Sequence, residues 1–294
     1  MKVVAIGTVF VDIKGYPEGH YLPTGRNAGD IKYFHGGVAR NVAEDVVKLG
    51  EESVLVSLVD KSGVASDVIK HLSAVNVKTG FVKATKNGMG TWMAVFDERG
   101  ELCASISKRP ELLPICDTLN ESEEQIFQDA DGILLEIDID EEIVDITMRM
   151  AEKYNIPVYA VISNMTIAKE RIEYIKRTTC FFCNRLEAGI FFDKETEGLS
   201  PHQMLDLLKT ELKRLNMQAM VITMDADGAV FAKADGEAGH CQAEPITVVD
   251  TTGAGDAFFA GTSVGLLRQL SFAKACELGT KTAARVLITK ENVL

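Results

Sequence analysis

The stretch VVDTTGAGDAFFAG, Val248–Gly261, sets two aspartates around a loop of threonine, glycine and alanine, then runs into small and aromatic residues. Upstream, ITVVD (246–250) reads as a strand. Downstream, GDAFFAGTSVGLLRQL reads as a helix that opens at the glycine-rich turn. The first N–H groups of a helix lack internal partners and carry partial positive charge. Gly253, Ala254 and Gly255 therefore offer bare donors to an anion, and their small size lets a phosphate approach. No Gly-Lys-Ser/Thr follows, so this is not a Walker A loop. Asp256, in the first helical turn, either complements the helix dipole or acts as general base toward a hydroxyl. A carboxylate of ordinary pKa, about 3.9, is a weak base at neutral pH. Phosphoryl transfer asks for little proton removal until late, so positioning counts for more than basicity. Asp250 is either a turn former or, with the Thr252 carbonyl, a ligand for a monovalent cation beneath the loop.

Outward from this loop, apolar runs alternate with amphipathic helical stretches. KVVAIGTVFV, SVLVSLV, GILLEI, PVYAVI, TTCFFC and AMVITM read as strands. ARNVAEDVVKLG, ASDVIKHLSAV, EEIVDITMRMAEKYN and PHQMLDLLKTELKRLN read as helices between them. This rhythm predicts an α/β fold with a mostly parallel sheet covered on both faces. Two segments break it. Residues 12–35 are rich in Gly, Pro and Tyr, and residues 80–107 alternate polar and apolar around an ERG turn. Together they predict a small antiparallel lid, leaving 1–11, 36–79 and 108–294 as the core. An antiparallel flap with an open face or edge also predicts a homodimer through the lid.

The chain has 294 residues, 46% of them hydrophobic, and a formal net charge of −12. That charge disfavours partners such as nucleic acid or an anionic membrane, which reward clustered Lys and Arg. No apolar run is long enough to span a bilayer, and MKVVAIGTVFVDIKG reads as a first strand rather than a cleaved leader, so a cytoplasmic setting is expected. Six scattered cysteines suit free thiols. Cys180 and Cys183 of CFFC fall on opposite faces of a strand, which suits burial better than zinc. The five histidines are isolated, and GTVFVDIKG lacks the Gly-x-Gly-x-x-Gly of a dinucleotide fold.

A second constellation, HGGVARN (35–41), leads into the first helix. Gly36 and Gly37 allow close backbone approach, and Asn41 can donate to and accept from a sugar hydroxyl; a tight turn before a helix is the plainer reading. GGVARN and DTTGAGDAFFAG together resemble the two signatures of the ribokinase/PfkB carbohydrate kinases. DKSG at 60–63, GMGTWMAVFDERGE as a lid strand pair and NRLEA at 184–188 match in order, across nearly the whole chain. Within that family the pseudouridine kinase branch looks most similar.

The resemblance implies a ribokinase-like three-layer sandwich with a β lid, and transfer of the ATP γ-phosphate to a hydroxyl of a sugar or nucleoside. Pseudouridine is favoured; a ribokinase- or fructokinase-type sugar kinase and a non-catalytic sugar or nucleotide sensor are the alternatives. It implies Asp256 as base and Gly253, Ala254 and Gly255 as anion hole. Asp12, Gly36, Gly37, Asn41 and Glu136 would face the substrate; Thr223, Asp225, Gly228 and Asn184 would hold the nucleotide. Glu187 would hold Mg2+ through water, and Asp250 and Thr252 potassium. Without the family, Asn184 and Glu187 read as a helix N-cap and its partner three residues on. Three features depart from the family pattern. TMDADG puts Asp225 where a glycine is usual, VISN (161–164) lacks an Asp-Pro or Asn-Pro, and the loops after residue 280 are abbreviated. Lid residues such as Tyr16, His20, Trp92 and Arg109 are expected to shape the pocket.

Overall fold

A computed structural model describes all 294 residues. In chain order the strands are β1 (Lys2–Ile6), β2 (Phe10–Pro17), β3 (Gly29–Gly36), β4 (Glu52–Val59), β5 (Lys78–Ala84), β6 (Gly90–Phe96), β7 (Leu102–Lys108), β8 (Gly132–Glu136), β9 (Val158–Val161), β10 (Cys180–Asn184), β11 (Ala219–Thr223), β12 (Ala229–Lys233) and β13 (Ala238–Cys241). The helices are α1 (Val38–Lys48), α2 (Gly63–Ala74), α3 (Ile115–Glu121), α4 (Glu123–Phe127), α5 (Glu141–Tyr154), α6 (Ile172–Ile175), α7 (Arg185–Phe192), α8 (Pro201–Leu215), α9 (Ala254–Leu267) and α10 (Phe272–Leu287).

Nine strands form one sheet in the order β13-β12-β11-β10-β9-β8-β1-β4-β5. All its pairs are parallel from β11 to β5, and β12 and β13 close one edge antiparallel. The continuous apolar runs follow from burial on both faces. Alternate residues of β1 enter two separate cores, Val4 and Ile6 on one side and Val3 and Ala5 on the other. The first core packs against α3, α5, α7 and α8, the second against α1, α2, α9 and α10. Cys183 lies in one core and Cys180 in the other, as strand alternation requires, and all six cysteines are free. No helix is long and apolar enough to cross a membrane.

The remaining four strands make the lid, in the order β3-β2-β6-β7. Its outer pairs are antiparallel, but the central pair β2–β6 is parallel, a mixed pattern that alternation alone did not reveal. Three local expectations need correction. KVVAIGTVFV is two strands, broken at Gly7 (φ 154°), so the lid begins at Phe10 rather than residue 12. Residues 80–84 belong to β5, which pairs with β4 in the large sheet and not with the lid. ITVVD forms no strand; Val248 and Val249 are about half exposed, and Val249 donates only to the Leu287 carbonyl.

Sheet order places the ligand crevice. The chain runs from β1 outward to β4 and β5, then returns to β8 on the other side of β1. Open α/β sheets bind ligands at the carboxyl ends of strands where the order reverses. Thr8, just past β1, and Glu136, the last residue of β8, face each other across that gap.

Candidate active site

The loop expected to hold an anion sits at the mouth of α9. Gly253 is the N-cap, with φ 80°, and a Cβ there would lie 2.0 Å from the Asn292 carbonyl. Only glycine tolerates both the left-handed backbone and that approach. Gly255 has open space around it, while the Ala254 N–H donates to the Thr251 carbonyl at 3.3 Å. From Ala257 to Gly265 the helix is buried all round, which fixes its direction.

Asp256 opens this helix and is partly open to the cleft. Its Oδ2 accepts from Asn41 Nδ2 at 2.8 Å. Asn41 has no freedom to turn, because its Oδ1 accepts from Arg40 Nη1 at 3.0 Å. Arg40 is held in turn by Glu44, which His71 also contacts at 3.0 Å. Asn41, expected to face substrate hydroxyls, thus holds Asp256 with one Nδ2–H and keeps the other. Burial pushes the Asp256 carboxyl up to about 6, Asn41 opposing and nearby Asp12 adding to the rise. The residue is a stronger base than its ordinary value suggests.

Asp12, on the lid strand β2, is buried and likewise pushed up to about 6 by burial. Gly36 leaves room for it, since a Cβ there would meet its carboxylate at 2.7 Å. Gly37, φ 98°, caps α1 against Thr8 and Phe10 backbone. Glu136 is buried and accepts from Thr8 N and Oγ1, both at 2.8 Å. Burial, with Asp138 adding, pushes its carboxyl well above the ordinary carboxylate range, which disfavours its charged form. Three acids whose charged forms are disfavoured reduce the repulsion that a polyphosphate would meet here.

Beyond Glu136 lies a cavity of about 430 Å³, lined by Thr8, Phe10, Arg109, Asp138, Ser163 and Leu112 among others. Asp138 accepts from Ser163 N at 3.1 Å and Ser163 Oγ at 2.8 Å, and Arg109 Nη2 stands 3.8 Å from its Oδ2. Larger hollows of about 540 and 520 Å³ open elsewhere and contain none of these residues.

The residues expected on the nucleotide side occupy the ends of β10 and β11 and the turn after β11. Asn184 and Glu187 form a reciprocal capping box on α7, at 2.8 and 2.7 Å, which leaves Glu187 Oε1 uncommitted. Thr223 ends β11, Asp225 adopts φ 52°, and Gly228 (φ 84°) closes the turn through its carbonyl to Met224 N at 2.7 Å. Aspartate is among the few residues that accept this backbone, so the missing glycine costs the turn little. Asp250 Oδ1 accepts from Thr252 N and Oγ1 at 2.9 and 2.7 Å, while Oδ2 faces Lys14 Nζ at 3.3 Å.

Sequence reasoning passed over Thr8, Lys14, Arg40, Asp138, Ser163 and Asn292. Arg40 lies inside GGVARN and Asp138 two residues past Glu136, which was signal enough to include them. Asn292 carries no motif; its Nδ2 reaches the His35 carbonyl at 3.2 Å and Asp12 Oδ2 at 3.4 Å only through the tertiary fold.

Comparison with known proteins agrees with this arrangement. Residues 1–293 match the description pfkB family carbohydrate kinase. The chain is 30% identical over 297 residues to guanosine-inosine kinase of Exiguobacterium acetylicum, covering 100% of this chain and 96% of that one. It is 25% identical to pseudouridine kinase of Escherichia coli (strain K12), covering 93% and 86%. Its fold superposes with TM-score 0.84 on Arabidopsis thaliana ribokinase complexed with ribose and ATP, at 19% identity over 98% and 93% of the chains. Adenosine kinase from Sinorhizobium meliloti gives 0.81 at 18% identity, over 100% and 95%. This chain belongs to the PfkB family of carbohydrate and nucleoside kinases.

Proposed function

We propose that the acceptor is a nucleoside whose base carries a lactam edge, an N–H beside a C=O. The observation that carries this is the Asp138–Arg109 pair lining the cavity beyond Glu136. A carboxylate accepts the N–H while a guanidinium donates to the oxygen. Phe10 and Leu112 supply apolar wall, and about 430 Å³ falls within the usual range for a small-molecule site. Guanine, hypoxanthine and uracil all have such an edge; adenine does not. Guanosine and inosine stand first because the relative acting on them is the more similar, with pseudouridine next.

In the reaction, a ribose hydroxyl oxygen attacks the γ-phosphorus as the bond to the ADP oxygen breaks. Asp256 aims that hydroxyl and takes its proton late. The amides of Gly253 and Gly255, and that of Ala254 once it leaves the Thr251 carbonyl, would meet the charge that develops on the transferred group. Asn184 and Glu187 fit hydrated Mg2+, since Glu187 Oε1 is free to accept from its water. The ion would neutralise phosphate charge. Thr223, Asp225 and Gly228 would border the nucleotide.

The lid supports a homodimer. Tyr33, Ile13, Met93 and Ile106 align across its four strands on one face, and Tyr33 and Ile106 are 61% and 66% exposed. Asp12 and Lys14 alternate with them and point to the cleft instead. Six free thiols support a reducing, cytoplasmic setting.

The test is ADP release with guanosine, inosine, pseudouridine, adenosine, ribose and fructose. One or more lactam nucleosides should exceed adenosine and both free sugars by at least about 100-fold in kcat/KM. Adenosine or a free sugar as best acceptor would overturn the assignment.

A further inference from the structure

Lys14 is among the largest fully buried side chains of the protein, 2% exposed, and it comes from the lid strand β2. A buried ammonium needs partners, whereas most lysines carry their charge out to solvent on the stem. Its Nζ instead lies 3.3 Å from Asp250 Oδ2 and 3.2 Å from Thr252 Oγ1. It also sits over the Phe34 ring, 4.8 Å from the centroid.

These are the two residues that would otherwise hold a monovalent cation, and their side chains are already taken, which leaves only the Thr252 carbonyl of the expected pair. Asp250 Oδ1 is committed to Thr252 N and Oγ1, Oδ2 to Lys14, and Thr252 Oγ1 both donates to Asp250 and faces Lys14. No group of three or more acidic, histidine or cysteine side chains elsewhere is arranged to bind a metal ion.

We propose that the Lys14 ammonium is a built-in replacement for a monovalent cation, holding the Asp250–Thr252 turn and hence the anion loop that begins at Gly253. The charge is covalently attached to the lid, so the loop is set when β2 lies over the cleft, without an ion from solution. The place between these two side chains is then filled by Lys14 rather than by potassium.

Two measurements at constant ionic strength test this, each with potassium, sodium or tetramethylammonium chloride. Wild-type turnover should agree within about twofold across the three salts, and the unfolding midpoint of the nucleotide-free protein should not depend on potassium. Lys14→Ala should lose at least about tenfold in turnover in tetramethylammonium. Potassium should restore part of it and raise the midpoint of that variant alone, because a ligand that binds only the folded state stabilises it. Lys14→Gln is read in the same way should the alanine variant not fold. Potassium-specific activation or stabilisation of the wild type would overturn the proposal, as would variants whose turnover matches the wild type or stays low in every salt. The midpoint needs no acceptor, so it stands apart from any error in the proposed substrate.

Discussion

Asp256 shows how one carboxylate is made fit for its place. Burial raises it and Asn41 aims it, and the two act in opposite directions on its titration. Asp256→Asn should lower kcat by at least about 1,000-fold while leaving ATP affinity within a few-fold, as turnover and calorimetry would show. In the wild type, kcat/KM should fall as pH drops through about 6, because the protonated acid cannot accept the hydroxyl proton. Asp12 titrates in the same range, so that limb belongs to the pair. The sign for stability is the reverse. A carboxyl whose folded pKa lies above its unfolded one binds more protons when folded, so stability declines as pH rises from about 4 to about 6. Asp256→Asn should therefore stabilise the protein at pH 7 by about 1–2 kcal/mol, discounted for its partial exposure, and by little below pH 4. Denaturant melts at the two pH values check it.

At the scale of elements, the mouth of α9 depends on a contact far away in sequence. Gly253 and the Asn292 carbonyl leave no room for a side chain, and the left-handed backbone adds its own penalty. Gly253→Ala should cost at least about 2 kcal/mol in chemical denaturation and reduce turnover by at least about tenfold. Gly255→Ala, with open space around its position, should cost far less stability. Similar stability losses in the two variants would show that the Asn292 contact is not what holds the loop.

For the whole molecule, the lid has two faces of opposite character on the same strands, one set by Ile13 and Met93, the other by Asp12 and Lys14. The apolar face predicts a dimer at micromolar concentration by light scattering, and Ile106→Glu with Met93→Lys should give a folded monomer. A wild type that already runs as a monomer would sink this. Much of the architecture was readable in the chain. Period-2 and period-3.6 apolar patterns report which faces are buried, so the parallel sheet, its covering helices and the lid segments followed. GGVARN and DTTGAGDAFFAG marked the loops that bring Asn41 to Asp256 across 215 residues. The misplacements fell on β5, β2 and ITVVD, where edge position or the break at Gly7 decides pairing and local pattern does not.

The sequence by itself determined the fold class and set a glycine turn and Asp256 at the mouth of a helix, because these rest on backbone preferences and on residues adjacent in the chain. The tertiary structure alone decided the raised titration of Asp256 and Glu136 and the partner of Asp250. Each of those depends on which distant groups, Asp12, Asp138 and Lys14, are carried into a space from which water is largely removed.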